Sequence, residues 1–165
     1  MELLLQVINY ICGGFNMAFI ESVVEELEKS GWNSNRKIDT EEINVTLNDE
    51  GYEISNNCIK FFEQFGMLEF EHPAFRVKDR NKSIHFNPLK ACENIYRERV
   101  ETYESRAGET LVVIGEAYDG NLTLMLSKSG KVYGSYDNFL TLLGDTIEVA
   151  LENIFIGVET EEIPM

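Results

Sequence analysis

Apolar residues recur along this chain first at helical spacing, then at strand spacing, and the change of period organises it. Asn16 stands where a helix can be capped. Met17, Ile20, Val24 and Leu27 follow at the interval of one helical face, and Gly31 stops the run. Asp39 and Glu42 have capping-box spacing ahead of Ile43 and Leu47, but Ile43, Val45 and Leu47 also alternate, so the segment up to Gly51 fits helix or strand. Ser55 predicts a firmer helix that carries Ile59, Phe62 and Phe65 and closes at Gly66. Short β-type runs follow at 67–71, 75–78 and 83–86, broken by His72-Pro73 and by Asp79-Arg80-Asn81. Asn87-Pro88 opens a helix running toward Arg106, with Leu89, Cys92, Ile95, Val100 and Tyr103 on one face and Gly108 behind it.

Residues 110–136 carry the clearest signal. An apolar β-rich run at 111–117, a turn at Asp119-Gly120-Asn121, alternation through Leu122, Leu124 and Leu126, a second turn at Ser129-Gly130 and a third run from Val132 predict an antiparallel meander. Asp145 and Glu148 repeat capping-box spacing before a last helix with Ile147, Leu151 and Ile154, ending at Gly157. The acidic residues 159–165 predict a frayed tail. No linker or repeat divides the chain, so a single domain is expected from about residue 17 to 158. Residues 1–16 are an apolar extension or an extra helix ahead of it. That opening has Glu2 as its only charge and no small-residue cleavage site, and Gln6, Asn9 and Asn16 interrupt it. It reads as neither a targeting signal nor a membrane span.

Charge narrows the choice of partner. Twenty-nine Asp and Glu against fourteen Lys and Arg leave a net charge of −15 over 165 residues. A field of that sign repels nucleic acid and anionic membrane and attracts basic partners, although an acidic surface also simply keeps a protein soluble. The densest basic group is Lys78, Arg80 and Lys82 in one turn, too small to track a phosphate backbone. Cys12, Cys58 and Cys92 form no paired motif and read as small apolar residues of a reducing compartment, so a cytoplasmic location is expected.

Catalytic chemistry is hard to find. His72 and His85 lie thirteen apart in strand-like contexts, and no neighbouring residue orients either ring. The glycines of residues 115–120 sit inside a hairpin, where no helix N-terminus can hold a phosphate. Glu98, Glu101, Glu104 and Glu109 read as the solvated face and exit of a helix. No catalytic residue, metal ligand or cofactor is expected. A binding module remains by elimination, with tyrosines near its hairpin tips.

Several strings, in order, resemble the SUKH superfamily in its third subgroup: Ser30-Gly31-Trp32 with Asn35-Arg36-Lys37, Gly51-Tyr52, Phe61-Phe62, and Phe65-Gly66-Met67-Leu68. Further along come residues 86–91, 114–120, 124–126 and 130–134, then Leu143-Gly144-Asp145, Ala150-Leu151 and Ile156-Gly157. Met67 departs from the pattern, which has a second glycine there. The resemblance implies an α+β fold with a curved, mainly antiparallel sheet flanked by helices. It implies an immunity protein that binds a cognate basic toxin domain, a nuclease being the expected kind, one-to-one and without catalysis. An intracellular regulatory or scaffold domain of the same fold is the alternative. Tyr118, Asp119, Tyr133, Tyr136 and Asp137, with Glu69 and Glu71, are the expected contact residues, since aromatics supply area and acids supply register. Tyr118 and Tyr133 could equally be half-buried sheet residues, Asp119 a turn residue and Asp137 a cap. Gly31, Trp32, Arg36, Phe65 and Gly66 are expected to be structural, with Gly66 in the left-handed conformation after its helix.

Overall fold

The computed structural model describes residues 6–12 and 15–165. The first two described elements are strands, β1 (Val7–Cys12) and β2 (Phe15–Ile20), paired as an antiparallel hairpin. The helix expected from Asn16 does not begin there, and residues 7–12 of the stretch before it are strand; the rest of that extension, residues 1–5 and 13–14, lies outside the described residues. Asn16 pairs with Ile11, and α1 (Glu21–Lys29) starts only after Ile20. A two-residue period explains this. Ile8, Tyr10, Met17 and Phe19 share the face that packs on the core, while Val7, Asn9, Ile11 and Ala18 are exposed. The helical spacing of Met17 and Ile20 is coincidental.

The ambiguous third segment is a helix, α2 (Glu41–Asp49), which buries Ile43 and Leu47 and leaves Val45 exposed. Asp39 makes no capping box, since its carboxylate accepts from the Glu41 N–H and Thr40 is the N-cap. In α3 (Asn56–Phe65) Ser55 accepts from the Cys58 N–H as expected. The conformation at its end is not as expected. Gly66 has φ −53°, and the left-handed residue is Met67 at φ 66°. Gly66 is small for another reason: a Cβ there would stand 2.5 Å from the Phe62 carbonyl oxygen.

Strands β3 (Glu69–Pro73) and β4 (Asn81–His85) pair antiparallel. Residues 75–78 are turn rather than strand, with Arg76 and Asp79 at positive φ, because Phe75 and Val77 find no interior to face. The long helix expected after Asn87 is two, α4 (Pro88–Cys92) and α5 (Arg97–Ala107). The break frees the Asn94 side chain to donate to Glu116 and makes Tyr96 the cap of α5.

The meander forms as predicted, with β5 (Leu111–Ala117), β6 (Leu122–Ser127) and β7 (Val132–Tyr136). An unexpected fourth strand, β8 (Phe139–Gly144), joins it before α6 (Ile147–Ile156), whose N-cap is Thr146. The result is an α+β domain with one six-stranded antiparallel sheet in order β3-β4-β5-β6-β7-β8, beside the β1–β2 hairpin. Register shifts at Val113/Gly115 and Val132/Tyr133 bend its strands. Phe70 meets Phe155 of α6 on one face, and Glu116 meets Asn94, ahead of α5, on the other. Between α1, α3 and the sheet, Phe19, Trp32, Phe61, Phe65 and Phe86 form one aromatic cluster, with Trp32 stacked on Phe65.

The acidic tail is docked rather than frayed. Glu162 bridges to Thr141, the Ile163 N–H donates to Leu140, and the Arg106 guanidinium donates to the carbonyls of Ile163, Pro164 and Asn138.

Candidate partner-binding cleft

Sheet register places a line of polar residues where a core face normally carries apolar ones. Glu69 lies opposite His85, His85 opposite Glu116, Glu116 opposite Thr123, and Thr123 opposite Ser135. Residues directly opposite one another share a face, so the five form one row across five strands, on the side of Asn94 and α5. His85, Glu116 and Ser135 in this row are buried, at 5%, 2% and 1% exposure.

Burial of a carboxylate demands partners, and Glu116 has two. The ring Nε2–H of His85 donates to Oε2 at 2.9 Å, and Asn94 Nδ2 donates to Oε1 at 2.9 Å. The Asn87 N–H in turn donates to His85 Nδ1, which fixes the tautomer that leaves Nε2 as the donor. Ser135 Oγ, by contrast, has no hydrogen-bond partner.

The last three residues of the row floor a cleft of about 830 Å³ between the start of α5 and the β5–β6 and β7–β8 tips. Glu116, Thr123 and Ser135 line its base, with Asn94, Arg99 and Tyr103 above them and Tyr118, Tyr136 and Asp137 at the tips. It continues past Phe139 to Asn153 and Glu159 beyond the sheet.

The tips are held in place by hydrogen bonds to neighbouring elements. Tyr118 and Asp119 have φ of 53° and 59°, and Asp137 has φ 46°. Asp119 accepts from the Ser83 N–H at 2.7 Å and from Lys82 Nζ at 2.9 Å, which holds its carboxyl below the usual carboxylate range. The Tyr118 N–H donates to His72 Nε2, and His72 Nδ1–H donates to the Pro73 carbonyl. Burial, in first place, pushes the His72 imidazole below its ordinary value. At the second tip the Tyr103 hydroxyl donates to the Asp137 carbonyl at 2.6 Å, and Tyr136 stacks on Phe139 while remaining half exposed.

Of the seven contact residues expected from sequence, Tyr118, Tyr136 and Asp137 share this cleft and Asp119 adjoins it. Tyr133 is buried and donates its hydroxyl to Glu109. Burial pushes the Glu109 carboxyl up, but hydrogen bonds from Ser129 and Tyr133 outweigh it and hold the group below its ordinary value. Glu104 is likewise no freely solvated residue, since it pairs with Arg97 and accepts from the Leu111 N–H. Glu69 and Glu71 are exposed on edge strand β3, four strands and roughly 19 Å from β7. The residues expected to be structural lie together elsewhere: Gly31 has φ 101°, and Arg36 donates from Nη1 and Nη2 to the carbonyls of Gln64 and Gly66.

Spacing did not reveal Asn94, Glu116 or Ser135. One signal was available: Glu116 is the single charge in the otherwise apolar run of β5, all of whose residues are buried. The partner that orients His85 comes from 31 residues away and has no local signature. Among the described residues, no group of three or more His, Cys, Asp or Glu side chains could hold a metal ion, and no helix is long and apolar enough to cross a membrane.

Fold and cleft together define a class, a helix-flanked antiparallel-sheet domain with a polar, aromatic-rimmed concavity. The chain matches the SUKH-3 immunity protein family over residues 19–157 and belongs to that family. No curated protein and no solved structure gave a match.

Proposed function

We propose that this chain protects its own cell by binding and covering a cognate toxin domain, a nuclease being the kind its charge suits, and that it does so in the cytoplasm without catalysing a reaction. Family membership carries this reading. The net charge of −15 supports the choice of toxin, because enzymes that hold phosphates present basic surfaces and an acidic inhibitor is steered toward them. The contact surface in this reading is the pair of sheet tips, with Tyr118, Asp119, Tyr136 and Asp137. Two rigid turns present half-buried aromatics beside carboxylates, an arrangement suited to anchors that lose little freedom on binding.

The test is co-expression with the neighbouring reading frame, which this reading expects to encode the toxin. Growth rescued by the wild-type chain and lost with the double variant Tyr136→Ala, Asp137→Ala is the expected result. In vitro the double variant should weaken binding at least about tenfold, and raising salt should slow association far more than dissociation. Cell death despite abundant folded protein would remove the immunity reading. An association rate indifferent to salt would remove its electrostatic part.

A further inference from the structure

The polar row has a feature that fold maintenance leaves unexplained. A buried hydroxyl without a partner costs about 1–3 kcal/mol, and Ser135 Oγ is such a group at the base of an open cleft. Two positions away across the sheet, Glu116 has each carboxylate oxygen engaged by one neutral donor, which leaves acceptor capacity on both. Its Oε2 lies near the open side of the β5–β6 turn: a Cβ built on Gly120 would stand 3.8 Å from it.

The charge of the cleft leans to one sign. Among the described residues lining it, Glu116, Asp137 and Glu159 are acidic and Arg99 is the basic one. Glu159 is paired with Arg76 at 3.3 Å, and Arg99 Nη1 donates to Asn138 Oδ1, which leaves Glu116 and Asp137 as the carboxylates at the sheet. Tyr118 and Tyr136 add aromatic faces at the mouth. Acceptors on the floor, carboxylates on the walls and rings at the entrance suit a cation. A planar, five-donor guanidinium suits them better than a compact ammonium, because it can fork between a carboxylate and a hydroxyl while stacking on a tyrosine.

We infer that the cleft between α5 and the β5–β6 and β7–β8 tips is a socket for one arginine side chain of the partner, received by Ser135 and Glu116 at the floor and by Tyr136 and Asp137 at the rim. The identity of the bearer rests on the immunity reading above; the socket itself rests on the geometry. Ser135 Oγ is closed to solvent in the free chain, so the guanidinium reaches it only as the side chains above it give way; it then supplies the donor that Ser135 Oγ lacks and completes the row.

The test uses the full chain alone, without any toxin, so its failure and that of the immunity reading are separable. The probe is Nα-acetyl-arginine methylamide, titrated while backbone amide resonances are followed. Its neutral isostere, the citrulline analogue, is titrated in parallel. The expected result is saturable shifts confined to residues around 118–123 and 134–137 with the arginine probe and none with citrulline. Asp137→Asn and the nearly isosteric Ser135→Ala should each weaken binding about two- to fivefold. No saturable shift at those residues, equal shifts from citrulline, or tighter binding of an acetyl-aspartate analogue would each overturn the inference. Undiminished arginine binding by both folded variants would overturn the assignment of its floor and rim.

Discussion

At the residue scale, the turn after α3 shows how neighbouring residues divide two jobs. Gly66 is needed where a side chain would strike the Phe62 carbonyl, while Met67 bears the left-handed conformation. A non-glycine residue in that conformation costs about 1 kcal/mol. Met67→Gly should therefore stabilise the protein by about 0.5–1 kcal/mol, whereas Gly66→Ala should destabilise it by about 1–3 kcal/mol. Chemical denaturation of the two variants measures both signs, and a destabilising Met67→Gly would show that the side chain's packing outweighs its backbone strain. His72 links a single proton to the first tip. Its neutral form accepts the Tyr118 N–H, and burial lowers its affinity for a proton in the folded state. Below the ordinary histidine value of about 6.5 the unfolded chain takes up a proton that the folded chain resists, so stability falls as pH drops through that value toward the lower folded one. His72→Gln should flatten this dependence, measured by denaturation between neutral and mildly acidic pH; an unchanged slope in the variant would assign it to another group.

At the scale of elements, the two edges of the sheet are protected by different means. The β3 edge is short, ends at Pro73 and carries the exposed Glu69 and Glu71, features that discourage pairing with a foreign strand. The β8 edge is covered by the tail, and Arg106 of α5 ties that tail through the carbonyls of Ile163 and Pro164 while also holding the Asn138 carbonyl of the β7–β8 turn. Arg106→Ala should release the tail and cost about 1–3 kcal/mol, since several charge-assisted hydrogen bonds are lost and their carbonyls must find water. Hydrogen exchange gives the readout: the Ile163 amide should lose protection while β5 and β6 keep theirs. Loss of protection throughout the sheet would mean that the tail is integral to global folding. The expectation of a frayed tail failed because acidic composition was weighed without the basic residue that docks it, 57 positions away.

At the scale of the whole molecule, charge and shape have separate roles. The net charge of −15 acts over distance and concerns how fast a partner arrives. In the proposed reading the cleft decides which partner stays, because only a group that enters it meets the buried row. Salt therefore should act on association, and substitutions at Ser135 or Asp137 on dissociation. Strands β3 and β4 hold the first tip relative to that row and α5 holds the second, so both tips are positioned in the free chain.

Local spacing by itself determined the helix at 56–65, the three strands of the 111–136 meander and the last helix with its glycine stop. Each of these depends on residues a few positions apart and on one period of alternation. It also revealed the acidic character and the strings that resemble the family. Tertiary structure alone decided that residues 15–20 are a strand, that the helix after Asn87 breaks to send Asn94 to Glu116, and that Glu69, His85, Glu116, Thr123 and Ser135 stand in one line. The cause is register: which residue faces which across a sheet is set by the packing of both its faces, and residues 116 and 135 become neighbours only once the strands between them have paired.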